Sequence, residues 1–195
     1  TFIHFRDGIE RINWNTLSRT PLAGKIDDPH GLAIDPQSQT IYFSSISGDI
    51  AHGPSNQLLS PLNTTTLFND TFDSQEKRGL ALDHINGYLY SAVNYRGTQA
   101  ESLSRIKVDG TEAEQVIIDN LSAVHDVALD VGNGRVYYSH DTESGPAKIS
   151  RADLDGSNPE LLVTSANKGI RGVAIDTNTQ VLYWTNHQLN EIRYL

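Results

Sequence analysis

The residues best placed to do chemistry in this chain are four bases at nearly equal intervals. His30, Arg78, His125 and Arg171 lie 48, 47 and 46 residues apart. Two carry permanent charge, and two are of a type that charges near pH 6.5. If a repeating fold brings equivalent positions together, four hydrogen-bond donors meet at one opening. Such a cluster suits a carboxylate, sulfate or phosphate, or an acidic loop of a protein partner. The competing reading is structural, with the guanidinium and imidazole groups bonded to nearby carbonyls and aspartates, Asp126 among them.

Other chemistry is thinly represented. There is no GxSxG elbow, HExxH pair or phosphate-binding glycine loop, so no catalytic residue is assigned. Asp126 beside His125 and Asp141 beside His140 are the candidates for an acid/base pair or a metal site. Neighbours in a strand point to opposite faces, which argues against both members of either pair reaching one ion. Asp153-Leu-Asp155-Gly156 lacks the spacing and the final glutamate of a calcium loop and is expected to be a hairpin turn. No cofactor and no metal are expected.

The elements that must position the four bases are themselves repeated. Each base precedes one of Gly31-Leu-Ala-Ile-Asp35, Gly79-Leu-Ala-Leu-Asp83, Asp126-Val-Ala-Leu-Asp130 and Gly172-Val-Ala-Ile-Asp176. Seven residues after each closing aspartate comes a tyrosine in a second apolar run: Tyr42, Tyr90, Tyr137 and Tyr183. The polar stretch between them makes the unit a β-hairpin. Further short runs follow, as in Ser102–Gly110 and Ala147–Gly156, then Glu114–Ile118 and Glu160–Val163. Four strands in a module of about 47 residues is the arithmetic of a propeller blade. One four-stranded sheet has two apolar faces and needs neighbours to cover them, which is the physical reason to repeat. The continuous apolar runs are expected to be innermost strands, and the tyrosines to pack between blades. The expected fold is all-β: a propeller of four-stranded antiparallel blades, one domain over 1–195. Repeats fall near 31–78, 79–125, 126–171 and 172–195, with 1–30 completing a preceding blade.

Composition narrows the partners. The chain has 24 acidic and 15 basic residues, a formal charge of −9, and no Lys/Arg-rich run. That balance argues against nucleic acid and anionic membrane surfaces. No apolar window reaches the length of a membrane span, so membrane insertion is not expected. With no cysteine there is neither a disulfide framework nor a thiolate zinc site. Three N-glycosylation triplets begin at Asn63, Asn69 and Asn120, and they point to an extracellular or secreted glycoprotein.

Leu182-Tyr183-Trp184-Thr185-Asn186, together with Ile149-Ser150-Arg151-Ala152-Asp153-Leu154-Asp155-Gly156-Ser157, resembles the YWTD β-propellers of the low-density-lipoprotein receptor group. More distantly the chain is similar to six-bladed propellers of the NHL and lactonase type. The resemblance implies a six-bladed disc that binds protein partners or acts as a structural support. It also implies a structural role between strands for Arg11, Arg105 and Arg151. The signature here ends in Ser45, Val93, His140 and Asn186 where the family has aspartate, so receptor-type partner binding does not transfer residue by residue.

Four innermost-strand copies against a family count of six leave three arrangements open. The remaining blades come from another chain or a further segment, the chain closes as a four-bladed disc by pairing its first and last strands, or it forms an open arc. The expected function is a binding or scaffolding propeller that recognises a protein or small anionic ligand at the channel mouth through His30, Arg78, His125 and Arg171. The alternative is a secreted propeller hydrolase or lactonase with a metal-dependent site.

Overall fold

A computed structural model describes residues 2–5, 8–13, 15–24, 29–57, 64–69, 75–95, 101–141, 145–166 and 169–195. Among them every regular element is a strand, and no helix is long and apolar enough to cross a membrane. The first sheet holds β1 (Phe2–Phe5), β2 (Gly8–Ile12) and β3 (Arg19–Gly24). The second holds β4 (Pro29–Asp35), β5 (Thr40–Ser45), β6 (Ile50–Pro54) and β7 (Thr65–Phe68). Then come β8 (Gln75–Asp83), β9 (Tyr88–Tyr95), β10 (Glu101–Lys107), β11 (Gln115–Asp130), β12 (Arg135–Asp141), β13 (Lys148–Asp153) and β14 (Glu160–Thr164), paired in sequence as seven strands. The last sheet is β15 (Ile170–Asp176), β16 (Val181–Asn186) and β17 (Glu191–Tyr194). Every pairing is between sequence neighbours and antiparallel, and the chain is a β-propeller.

The seven-stranded sheet is two blades joined through one long strand. Residues 115–121 of β11 pair with β10 as the outer strand of the third blade, and residues 122–130 pair with β12 as the inner strand of the fourth. At the joint Asn120 and Ala123 hold positive φ of 55° and 47°. Asparagine tolerates that conformation, which gives Asn120 a structural use of its own. Asn120 and Asn69 are exposed, while Asn63 lies outside the described residues.

The closing aspartates make the hairpins. Asp35 Oδ1 accepts from Gln37 N at 2.8 Å, Asp83 Oδ1 from Asn86 N at 2.9 Å, Asp130 Oδ1 from Asn133 N at 3.2 Å, and Asp176 Oδ1 from Asn178 N at 3.0 Å. These bonds reproduce a turn with a side chain, the ordinary employment of aspartate at such a position. The fourth residue after each aspartate has positive φ: Gln39 54°, Gly87 69°, Gly134 67° and Gln180 58°.

The core is a series of layers between blades. Ile9 and Leu22 of the first blade meet Ile41 and Phe43 of the second. Tyr42 and Ile50 meet Leu80, Leu89 and Ile106 of the third. Tyr90 and Leu103 meet Val127, Val136 and Tyr138 of the fourth. Tyr137 and Ile149 meet Ile170, Leu182 and Trp184 of the fifth. The repeated tyrosine therefore faces the following blade each time, and Tyr183, in the fifth, is 40% exposed. Each fully buried Leu, Ile or Val contributes roughly 1.5–3 kcal/mol of transfer free energy.

The four-bladed alternative is corrected by the strand pairing. Among the described residues β1–β3 form a sheet of their own and β17 pairs with β16, so the first and last strands do not close a disc on each other.

Candidate functional site

The inner strands β4, β8, β11 and β15 share one irregularity. Pairing with the next strand gains one extra residue between Pro29 and Leu32, Lys77 and Leu80, Val124 and Asp126, and Ile170 and Val173. These are β-bulges, and a bulge re-aims side chains that a regular strand would send to opposite faces. His30, Arg78, His125 and Arg171 sit inside the four bulges, and all four line one concavity of about 380 Å³. His125 and Asp126 both line that concavity, but the His125 ring turns to Arg78, Arg171 and Asp141 while the Asp126 carboxylate turns to Val127 N and Val173 N, so the two do not converge on one partner. Alternation holds at the other pair, where His140 Nε2 meets Ser150 Oγ at 3.0 Å while Asp141 turns to His125.

His125 lies between the two arginines. Arg78 Nη1 is 3.2 Å from its Nδ1, Arg171 Nη1 is 2.5 Å from its Nε2, and Asp141 Oδ2 is 3.3 Å from the same Nε2. Guanidinium groups only donate, and a neutral imidazole has one accepting nitrogen. The ring can therefore satisfy one arginine and not both. Burial, then the adjacent Arg171 charge, pushes the His125 pKa down to about 4, against the partial support of Asp141. The expectation that His125 charges near pH 6.5 is thus corrected: at neutral pH it is an uncharged spacer between two fixed cations.

Carboxylates temper those cations. Glu76 Oε2 accepts from Arg78 Nε at 3.3 Å and Nη2 at 3.1 Å, and Asp141 Oδ2 lies 3.5 Å from Arg171 Nη1. Asp126 replaces the glycine that the other three repeats carry as Gly31, Gly79 and Gly172. Its Oδ1 accepts from Val127 N and its Oδ2 from Val173 N of the next blade, both at 2.9 Å. Burial pushes its pKa up to about 6 despite those two amide bonds. Gly79 makes room for it: a β-carbon there would overlap Asp126 Oδ1 and lie 2.7 Å from its Cα.

The structure adds residues that carry no repeat signal of charge. Ser44 Oγ accepts from Gly31 N at 2.9 Å and donates to Lys77 O at 2.5 Å, tying the second blade's bulge to the third blade's. Ser139 Oγ donates to Arg171 O at 2.7 Å, and Thr185 Oγ1 accepts from Gly172 N at 2.9 Å. Their shared place, two residues after the repeated tyrosine, was the available signal. Arg105 and Arg151 span strands, to Gln115 Oε1 at 3.1 Å and Glu160 Oε2 at 2.9 Å. Among the described residues no group of three or more His, Cys, Asp or Glu is placed to hold a metal ion.

Fold and bulge-lined concavity together define a β-propeller with a mixed-charge, arginine-bearing mouth. No protein-family model matches the chain. It is 25% identical over 191 residues to Protein cueball of Drosophila yakuba, covering 94% of this chain and 28% of that protein. To Protein cueball of Drosophila willistoni it is 24% identical over 165 residues, covering 83% and 24%. The chain thus spans about a quarter of the length of the curated relatives it matches. Among solved structures it superposes on a chain of a nidogen/laminin complex with a TM-score of 0.85 at 20% identity, covering 100% of this chain and 73% of that one. A luciferin-regenerating enzyme matches with a TM-score of 0.74 at 15% identity, covering 97% and 65%. These likenesses carry the fold.

Proposed function

We propose that this chain is an extracellular, YWTD-type binding propeller that takes an anionic group of a protein partner, or a small anion, at the concavity lined by His30, Arg78, His125 and Arg171. The observation that carries the reading is the set of four equivalent bulges that turn these side chains into one opening. His125 accepts from only one of the two guanidinium groups, and a ligand carboxylate would accept from the other in charge-assisted form. The nidogen/laminin complex supports a protein as the source of that carboxylate, because there a propeller of this shape belongs to a protein–protein assembly. Asn69 and Asn120 are exposed and each opens an N-glycosylation triplet, which supports secretion.

Calorimetric titration with a short aspartate-rich peptide tests the reading. Binding is expected to weaken at least tenfold in Arg78→Ala/Arg171→Ala and to fall as salt rises. Peptide affinity that ignores both changes would remove the anion site. The His125 to Asp141 hydrogen bond favours a second reading, a hydrolase with His125 as the base. Turnover of ester or lactone substrates that is lost in His125→Gln would support it over binding.

A further inference from the structure

A second concavity, of about 420 Å³, lies at the opposite end of the second blade's strands from His30. Ser38, Gln39, Thr40, His52, Asn56 and Thr65 line it, and among the described residues no Lys, Arg, Asp or Glu does. We infer that it is a binding site for a neutral saccharide.

The chain's own repeats show what this blade has given up to make the space. Strand register equates Thr40, His52 and Pro54 with Tyr88, Arg105 and Lys107 in the third blade and with Arg135, Arg151 and Asp153 in the fourth. In the third blade the position is filled: Arg105 and Lys107 lie over the Tyr88 ring at 4.6 and 4.2 Å, and Tyr88 OH donates to Glu112 at 3.0 Å. In the fourth, Arg135 pairs with Asp153 and Arg151 with Glu160. The second blade carries a threonine, a histidine and a proline instead. Short uncharged side chains leave a cavity where long paired ones close it.

The lining decides the ligand class. Hydroxyls and carboxamides both donate and accept, matching sugar hydroxyls, which do the same. Burial lowers the His52 pKa, so its imidazole too is a neutral donor and acceptor, packed against Tyr42 with ring centroids 5.5 Å apart. Among the described lining residues an ion finds no opposite charge. The volume falls within the range of small-molecule sites. Gln39 holds φ of 54°, as Gln180 does at 58° in the fifth blade, and its Oε1 accepts from Asn56 Nδ2 at 2.7 Å across the cavity rim.

The test is a ¹⁵N-amide NMR titration of the whole chain with glucose, galactose, mannose and N-acetylglucosamine, and with inorganic phosphate as the charged control. At least one sugar is expected to give saturable shifts confined to Gln39, Thr40, Gly53 and Asn56, with affinity on the order of 1 mM as befits a ligand of few atoms. His52→Arg imports the third blade's own residue and is expected to weaken binding about tenfold or more, with the remaining spectrum unchanged. Gln57→Ala, at an exposed residue that also lines the cavity, is expected to weaken it about threefold and serves should the first variant misfold. No response to any of the four sugars overturns the inference. Shifts undiminished in both variants overturn it too, as does a phosphate response at these amides stronger than any sugar's.

Discussion

His125 and Asp126 are adjacent and titrate in opposite senses, which makes their contributions to stability separable. His125 falls to about 4 in the folded chain from an ordinary 6.5. Below pH 6.5 the unfolded chain takes up a proton that the folded one refuses, so this residue costs stability as pH falls toward 4. Asp126 is raised to about 6 from 3.8. The folded chain therefore takes up that proton first, and this residue adds stability as pH falls from 6 toward 3.8. Each effect amounts to roughly 3 kcal/mol when titration is complete. Urea unfolding between pH 7 and 4.5 should show His125→Gln losing less stability on acidification than the parent, and Asp126→Asn losing more. His52 and His140, whose pKa values burial also lowers, remain in both variants and drop out of the comparison. Parallel pH profiles for all three proteins would refute both assignments.

At the level of strands and turns, the sequence made visible whatever the repeat enforces. Aspartate at a fixed distance before tyrosine marked the hairpins because a carboxylate capping the turn is local chemistry. The convergence of His30, Arg78, His125 and Arg171 was visible for the same reason, as equal spacing. Glu76 and Asp141, which temper the arginines, follow no period, and the bulges depend on inter-strand register that no single strand encodes. The continuity of β11 through two blades was hidden too, since Asn120 and Ala123 bend it without a turn residue such as glycine or proline between them. Two glycines distinguish the kinds of constraint. Gly134 has φ of 67° and nothing within 4 Å of an added β-carbon, so Gly134→Ala is expected to cost about 1 kcal/mol from conformation alone. In Gly79→Ala the new methyl meets the Asp126 carboxylate and backbone, and the cost is expected to be about 3 kcal/mol. Gly79→Ala/Asp126→Gly removes the carboxylate overlap and leaves the backbone contacts at 2.7 and 2.9 Å, so it should recover only part of that cost. If the double variant is no more stable than Gly79→Ala, the steric account is wrong.

Over the whole molecule, stability resides in the layers between sheets, because each blade contacts its sequence neighbours and buries its faces only through them. The protection of backbone amides against exchange should then follow each strand's place among the layers, and not merely its hydrogen bonding. Strand β9 has six consecutive buried residues, Leu89 to Asn94, and packs between two clusters. Strand β12 has Val136 to Ser139 buried and likewise serves two clusters. Strand β17 is paired as regularly as either, yet all four of its residues are exposed, Ile192 and Tyr194 at 75% and 74%. If strand pairing alone set local stability, β17 would exchange as slowly as β9. If interlayer packing sets it, β9 and β12 should exchange only through global unfolding, while β17 opens locally and exchanges faster by orders of magnitude. Leu89→Ala, which leaves a cavity between the second and third blades, should cost about 2–5 kcal/mol and lower the protection of β9 and β12 together, since both open through that unfolding. Its effect on β17 should be small, because local opening there does not pass through the buried layers. Equal protection across the three strands, or a β17 that tracks the Leu89→Ala loss, would instead make the fold one cooperative unit in which the sheet and not the layer is the seat of stability.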